Sequence, residues 1–315
     1  MGRCDAKNET RIVTVWDARY CTDAAYTNST SKQAEVMRLA EAEALVAALA
    51  RPFDEQRAWN AIATVHDPVY VEAVRTGEPR SRAESQGFHW SPEFAESVAR
   101  IWFGHLQACN LARREGLVLH PVSGAHHANR DRGSGYCTFN YLVGAARAMA
   151  TELKRSVAII DLDAHPGDGT FRLAGDDATT ALFDIAGGRW FDAPWTDRIE
   201  YHAVDDAEEY RAALERLPAF LDRVRPGFVQ YQAGMDPFED DPVGGIPGVT
   251  EAFLEERDRF VIEAVRSRGI SLLVNLAGGY VLGVSERLHV NTIRAMAEWQ
   301  NAEENTGLTA KGGSA

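Results

Sequence analysis

The feature that most constrains the fold is an alternation. Short, nearly continuous apolar runs at residues 11–16, 118–121, 157–161, 180–185, 228–232 and 271–276 are separated by helical patterns at 32–50, 92–115, 139–154, 207–224, 251–267 and 285–300. A strand buried on both faces has no polar side to alternate with, so such runs belong to a parallel sheet covered by helices. The expected class is α/β. Thr250, followed by Phe253 and Leu254, reads as the N-cap of one helix. No internal repeat or low-complexity linker interrupts the pattern, which points to one domain over residues 1–301. Residues 302–315 contain Gly, Ser and Lys and are expected to form a disordered tail. The segments 77–86 and 192–197 read as surface loops.

The 315 residues, 45% of them apolar, suffice for a sizeable core. Acidic residues outnumber basic ones 46 to 33, and no Lys/Arg run of the kind that tracks phosphates is present, so nucleic acid is not an expected partner. Cys4, Cys21, Cys109 and Cys137 form no CxxC pair, which implies reduced thiols in a cytoplasmic protein. The first 11 residues lack the apolar stretch of a signal peptide, no 18-residue run is free of charge, and Ala6 stands where a myristoylation signal needs Ser or Thr. No membrane partner is expected. The oligomeric state stays open, a homo-oligomer included.

Residues that bind or catalyse on parallel sheets gather at the carboxyl ends of strands. Three strand ends here are chemically loaded: Asp161-Leu162-Asp163-Ala164-His165-Pro166-Gly167-Asp168, Ala233-Gly234-Met235-Asp236, and Ser123-Gly124-Ala125-His126-His127. Two Asp and one His with an open fourth position make a catalytic zinc site, because structural sites are closed and usually thiolate-rich. Asp163, His165 and Asp236 are the candidate ligands. Asp163 and His165 are two apart, so an extended chain turns both toward one ion. Alone, Asp-x-Asp-x-His reads as caps and turn residues. Its coincidence with His126, His127 and Asp236 reverses that reading.

The chain resembles the histone deacetylase-like superfamily, which includes bacterial acetylpolyamine amidohydrolases and acetoin-utilisation proteins. The resemblance is carried by Val65-His66-Asp67-Pro68-Val69-Tyr70, Gly124-Ala125-His126-His127-Ala128, Gly135-Tyr136-Cys137-Thr138-Phe139-Asn140, the run from Asp161 to Thr170, and the stretch from Gln232 to Gly244, with Ala277-Gly278-Gly279-Tyr280 completing it. It implies a mostly parallel eight-stranded sheet between helices, of the arginase/deacetylase type, and hydrolysis of the amide of an N-acylated amine with one zinc per chain. In this resemblance His126 pairs with Asp161 and His127 with Asp168. A carboxylate behind an imidazole fixes its tautomer and stabilises its cation. His127 is then base and later acid, His126 its electrostatic partner, and Tyr280 the donor to the oxyanion. Tyr136 would line the substrate's aliphatic stem, and the Gly135 carbonyl would accept its amide N–H. A potassium ion near Asp161 is also implied. Cys137 is given no catalytic role.

The sequence departs from this pattern at Pro166, Ala277, residues 28–33, which lack a His-Pro-Glu segment, and the stretch after Ile185, which lacks a second wall aromatic unless Trp190, Phe191 or Trp195 supplies it. Two alternatives are kept. An arginase-like two-manganese hydrolase would need a further carboxylate where Gln232 and Gly234 stand. A catalytically idle binder of acylated amines or of a partner would be expected to have lost a ligand or a proton carrier. His66, His89, His105, His120, His202 and His289 are read as structural, His66 lying under the site.

Overall fold

The computed structural model describes residues 10–22, 27–188 and 195–306. Its strands are β1 (Ile12–Val15), β2 (Val46–Leu49), β3 (Leu117–His120), β4 (Val157–Asp161), β5 (Thr180–Gly187), β6 (Ile199–Val204), β7 (Phe228–Gln232) and β8 (Ser271–Asn275). They form one sheet in the order β2-β1-β3-β8-β7-β4-β5-β6, and every neighbouring pair is parallel. Along β4, Val157 and Ile159 enter the apolar layer on one face while Ala158 and Ile160 enter the other. Burial on both faces is why the inner strands read as unbroken apolar runs.

The two strands that the sequence pattern misses are the edges. A helix expected over 32–50 ends at Ala42, and Ala44 turns the chain at φ 57° into β2. Neither the alanine at that left-handed turn nor the Ala-rich edge strand carries a breaker signal. At the other edge, β6 mixes Glu200, Tyr201 and His202 among apolar residues because one side is only partly covered. The helix expected over 207–224 is two, Ala207–Leu214 and Leu217–Val224, since Pro218 in a helix interior would lose a hydrogen bond and clash with the preceding turn. Thr250 is a cap: its side chain accepts from Phe253 N at 3.3 Å.

The segment 77–86 holds a short helix, Arg80–Ala83, within the expected loop. The last helix, Val284–Thr306, takes in residues 302–306 of the expected tail; residues 307–315 lie outside the described residues, as do Cys4 and residues 192–194 of the loop expected at 192–197. Cys21, Cys109 and Cys137 are free thiols. Among the described residues no helix is long and apolar enough to cross a membrane.

Candidate metal and catalytic site

The sheet order brings the loaded strand ends together. β3, β8, β7 and β4 are consecutive at the centre, and their carboxyl ends lead into Ser123–His127, Ala277–Tyr280, Met235–Asp236 and Asp161–Asp168 respectively. At the last rung, register places His120, Asn275, Gln232, Asp161 and Asp184 side by side across five strands, all buried. Of this row, Asp161 meets His126 and Asp184 meets Gly167 N in the loop that carries the site.

Asp163, His165 and Asp236 present ligand atoms that all lie within 4.8 Å of one another. His165 Nδ1 is 3.2 Å from Asp163 Oδ1 and 3.0 Å from Asp236 Oδ2, while its Nε2 faces the Val243 carbonyl at 3.2 Å. Donation from Nε2 to that carbonyl leaves the Nδ1 lone pair for an ion. Backbone N–H groups orient the carboxylates: His165 N donates to Asp163 Oδ1 at 3.1 Å, Gly278 N to Asp163 Oδ2 at 2.8 Å, and Ala164 N to Asp236 Oδ1 at 3.1 Å. Burial, then repulsion from Asp163, raises the Asp236 carboxyl to about 7. Burial opposes a charge on His165, but its bonds to Asp163 and Asp236 outweigh this and raise it to about 11. Two buried carboxylates and one imidazole thus favour positive charge at their centre, and the donor set suits a divalent ion with an open coordination position. Gln232 is bonded to the Asn275 amide and Gly234 has no side chain, so neither adds an anionic bridge to a second metal.

Both expected histidine–carboxylate pairs form. His126 Nδ1 lies 2.9 Å from Asp161 Oδ2, with Nε2 turned toward Asp163 Oδ1 at 3.7 Å. His127 Nδ1 lies 2.7 Å from Asp168 Oδ1. The rings are neighbours, centroids 4.2 Å apart. Burial works against charge on His126, but Asp161 and Asp163 outweigh it and raise it to about 10. His127 is lowered, by burial first and by His126 second, so the two neighbouring imidazoles are pushed in opposite directions.

Tyr280 and Tyr136 stand 6.2 Å apart between ring centroids. Burial, then Asp236 and Asp163, raises the Tyr280 phenol well above its ordinary value, which keeps the hydroxyl a donor. Gly135 and Tyr136 both take left-handed φ, 49° and 64°, which turns the Tyr136 ring onto Phe88 in a stack of 5.4 Å. Cys137 Sγ donates to the Gly135 carbonyl at 3.4 Å, and burial raises its thiol far above the range of a nucleophile. Trp190 and Phe191 lie outside the described residues, and Trp195 packs on His202 of edge strand β6.

Four residues here escape a reading from sequence. Arg172 pairs with the second oxygen of Asp168 from one helical turn on. Asp184 accepts from Gly167 N at 2.9 Å, yet its buried Oδ1 has no hydrogen-bond partner among the described residues. A lone carboxylate inside the apolar run of β5 was the available signal. Asp241 accepts from Tyr280 N at 2.7 Å, and Lys32 donates into the same turn; nothing local distinguishes either from a surface charge. His66 is structural: Nδ1 meets the Asn129 carbonyl at 2.8 Å and Nε2 accepts from Asn140 N at 2.9 Å, and burial lowers it to about 4.

The chain has relatives in sequence among known proteins. The chain is 28% identical over 244 residues to an uncharacterised protein of Picosynechococcus, covering 75% of this chain and 80% of that one. It is 29% identical over 186 residues to histone deacetylase 2 of Arabidopsis thaliana, 56% of this chain and 48% of the relative. Acetylpolyamine amidohydrolase 2 of Pseudomonas aeruginosa is 23% identical over 270 residues, 76% of this chain and 75% of the relative. The model of the histone deacetylase domain matches residues 27–296, a span that holds every strand of the sheet but β1 and every residue of the site, and the chain belongs to that family.

Proposed function

We propose that this chain is a zinc-dependent amidohydrolase that removes the acyl group from an N-acylated amine of the acetyl-lysine or acetylpolyamine type. The observation that carries the reading is the convergence of a cation-demanding Asp163, His165 and Asp236 cluster with two carboxylate-backed histidines and a protonated tyrosine. The substrate class is taken from the relatives named a histone deacetylase and an acetylpolyamine amidohydrolase.

Asp163, His165 and Asp236 would hold the zinc, whose chemistry there is Lewis acidity toward an acyl carbonyl and toward water. Two carboxylate ligands offset most of the ion's charge, so water needs a base to give up its proton. His127, neutral near pH 7 and oriented by Asp168, takes that proton and later returns it to the leaving amine. His126, backed by Asp161, supplies positive charge beside the reacting carbonyl, and the Tyr280 hydroxyl donates to the oxyanion. Tyr136 lies along the aliphatic stem, and the Gly135 carbonyl accepts the amide N–H. The unpartnered oxygen of Asp184, beside Asp161 on the adjacent strand, suits the potassium ion implied there. The catalytic domain is residues 1–301, acting in the cytoplasm.

The test is turnover of a panel of fluorogenic acyl-lysines and N-acetylated polyamines by the zinc-loaded protein, with Tyr280→Phe, Asp236→Asn and a hydroxamate chelator beside it. Deacylation abolished by all three supports the reading. A zinc-bound wild type that cleaves nothing on the panel overturns it in favour of the idle binder.

A further inference from the structure

Burying a lysine is unfavourable, and Lys32 is buried at the first position of the helix Lys32–Ala42, where the helix dipole also disfavours a positive charge. Its ammonium is directed at the turn that carries Tyr280. Nζ donates to the Ala277 carbonyl at 2.6 Å and to the Gly279 carbonyl at 3.2 Å, and lies 5.5 Å from the centroid of the Tyr280 ring, within the range of a cation–π contact.

The rest of that turn is tied down group by group. Ala277 N donates to the Val122 carbonyl at 3.2 Å, Gly278 N to Asp163 Oδ2 at 2.8 Å, and Tyr280 N to Asp241 Oδ2 at 2.7 Å, while the Gly278 carbonyl accepts from Met235 N at 3.1 Å. Asp241 is itself fixed by accepting from Val243 N at 2.9 Å and Gly244 N at 3.1 Å. The turn needs this bracing because Ala277 sits at φ 58°, a left-handed conformation that a residue with a Cβ holds only when its surroundings impose it. Lys32 satisfies the two carbonyls that remain, one on the strained residue and one just before Tyr280.

We propose that Lys32 is a positioning residue for Tyr280: by bridging the Ala277 and Gly279 carbonyls and lying over the ring, it fixes where the phenol hydroxyl is presented to substrate. The proposal rests on the deacylase reading for its catalytic consequence, though not for its geometry. A preorganised donor contributes only from the position the oxyanion will occupy, and a displacement of about 1 Å costs on the order of 100-fold in rate. Arginine at 32 keeps the charge, and its fork can span both carbonyls; methionine keeps length and bulk but makes neither bond.

The experiment compares wild type, Lys32→Met and Lys32→Arg as full-length, zinc-loaded proteins by kcat and KM on the best amide of the panel, zinc content, and amide hydrogen exchange of the peptide spanning residues 276–282. Lys32→Met is expected to lower kcat about 100-fold with KM and zinc content near wild type, and to speed exchange in that peptide at least about tenfold. Lys32→Arg is expected to recover most of both. Unchanged kcat and exchange in Lys32→Met overturn the proposal, as does a parallel loss in both variants accompanied by loss of zinc. If Lys32→Met does not fold, Lys32→Gln, which keeps a shorter donor, decides by the same readouts. If wild type cleaves no panel amide while exchange still follows residue 32, the deacylase reading fails and the clamp stands.

Discussion

Replacing Gly278 by alanine isolates the steric basis of the ligand cluster. Its φ is not among the positive values, so alanine meets no backbone objection. The added Cβ would instead collide with the carboxylates of Asp236 and Asp163. The backbone cannot swing away cheaply, because Gly278 N is bonded to Asp163 Oδ2 and its carbonyl to Met235 N. The carboxylates must therefore move, and an extra methyl forced into a packed interior costs about 1–3 kcal/mol. For a chain of 315 residues the unfolding entropy is roughly 0.66 kcal/mol per kelvin, so about 2 kcal/mol lowers the apo-protein Tm by about 3 °C. Displaced ligands should also weaken zinc about 10- to 100-fold, the range seen when groups that orient ligands are disturbed. The assays are calorimetry of the apo protein and zinc titration against a chromophoric chelator. Wild-type Tm together with wild-type zinc affinity in Gly278→Ala would refute the claim that the turn and the carboxylates are packed as one unit.

Other perturbations read other parts of the site. A base must be neutral, and His127 is lowered below 6.5, so kcat/KM should rise with pH below that value and be flat by pH 7; Asp168→Asn removes a contact that raises the imidazole, and should shift the acid limb to lower pH and drop the plateau about 100-fold, whereas a limb that stays put argues against His127 as base. Asp184 is raised well above 3.8, by burial first and Asp161 second, so its contribution to stability is best below pH 3.8 and worsens as pH rises toward the folded value. Asp184→Asn should therefore raise the neutral-pH Tm in potassium-free buffer and abolish any gain that potassium chloride gives the wild type over tetramethylammonium chloride; a lower Tm or an intact potassium response counts against that role. Ala277→Gly, by removing a left-handed alanine, should stabilise by about 0.5–1 kcal/mol in chemical denaturation, and destabilisation would mean the methyl packs usefully.

How much of this was legible depended on what each residue's signal was. Strands buried on both faces advertise themselves, and the inner six were readable; β2 and β6 were not, because a half-covered edge needs no continuous apolar run. The clustering of Asp163, His165, Asp236, His126 and His127 was readable, since carboxylates and imidazoles at strand ends have little structural excuse. Residues that act through the backbone left no such trace. Lys32 looks like any helix-opening lysine, and Asp241 like one more acid in Glu239-Asp240-Asp241, until the strand order folds both over a turn more than 35 residues further along the chain.

The way the site is held also says something about how it acts. Three of the four carboxylate oxygens of Asp163 and Asp236 are bonded to backbone N–H groups from two different strand ends. The fourth, Asp236 Oδ2, faces His165 Nδ1. The ligands are thus aimed by the same turns that close the sheet, and one of those turns, through Gly278, continues into Tyr280. On the proposed function, ion binding and oxyanion donation would be coupled mechanically: whatever pulls Asp163 toward an ion also pulls the Gly278 amide that precedes Tyr280 by two residues. A ligand-set variant such as Asp163→Asn should then change amide exchange at Tyr280 as well as zinc affinity, whereas Asp168→Asn, outside that turn, should leave exchange at Tyr280 untouched.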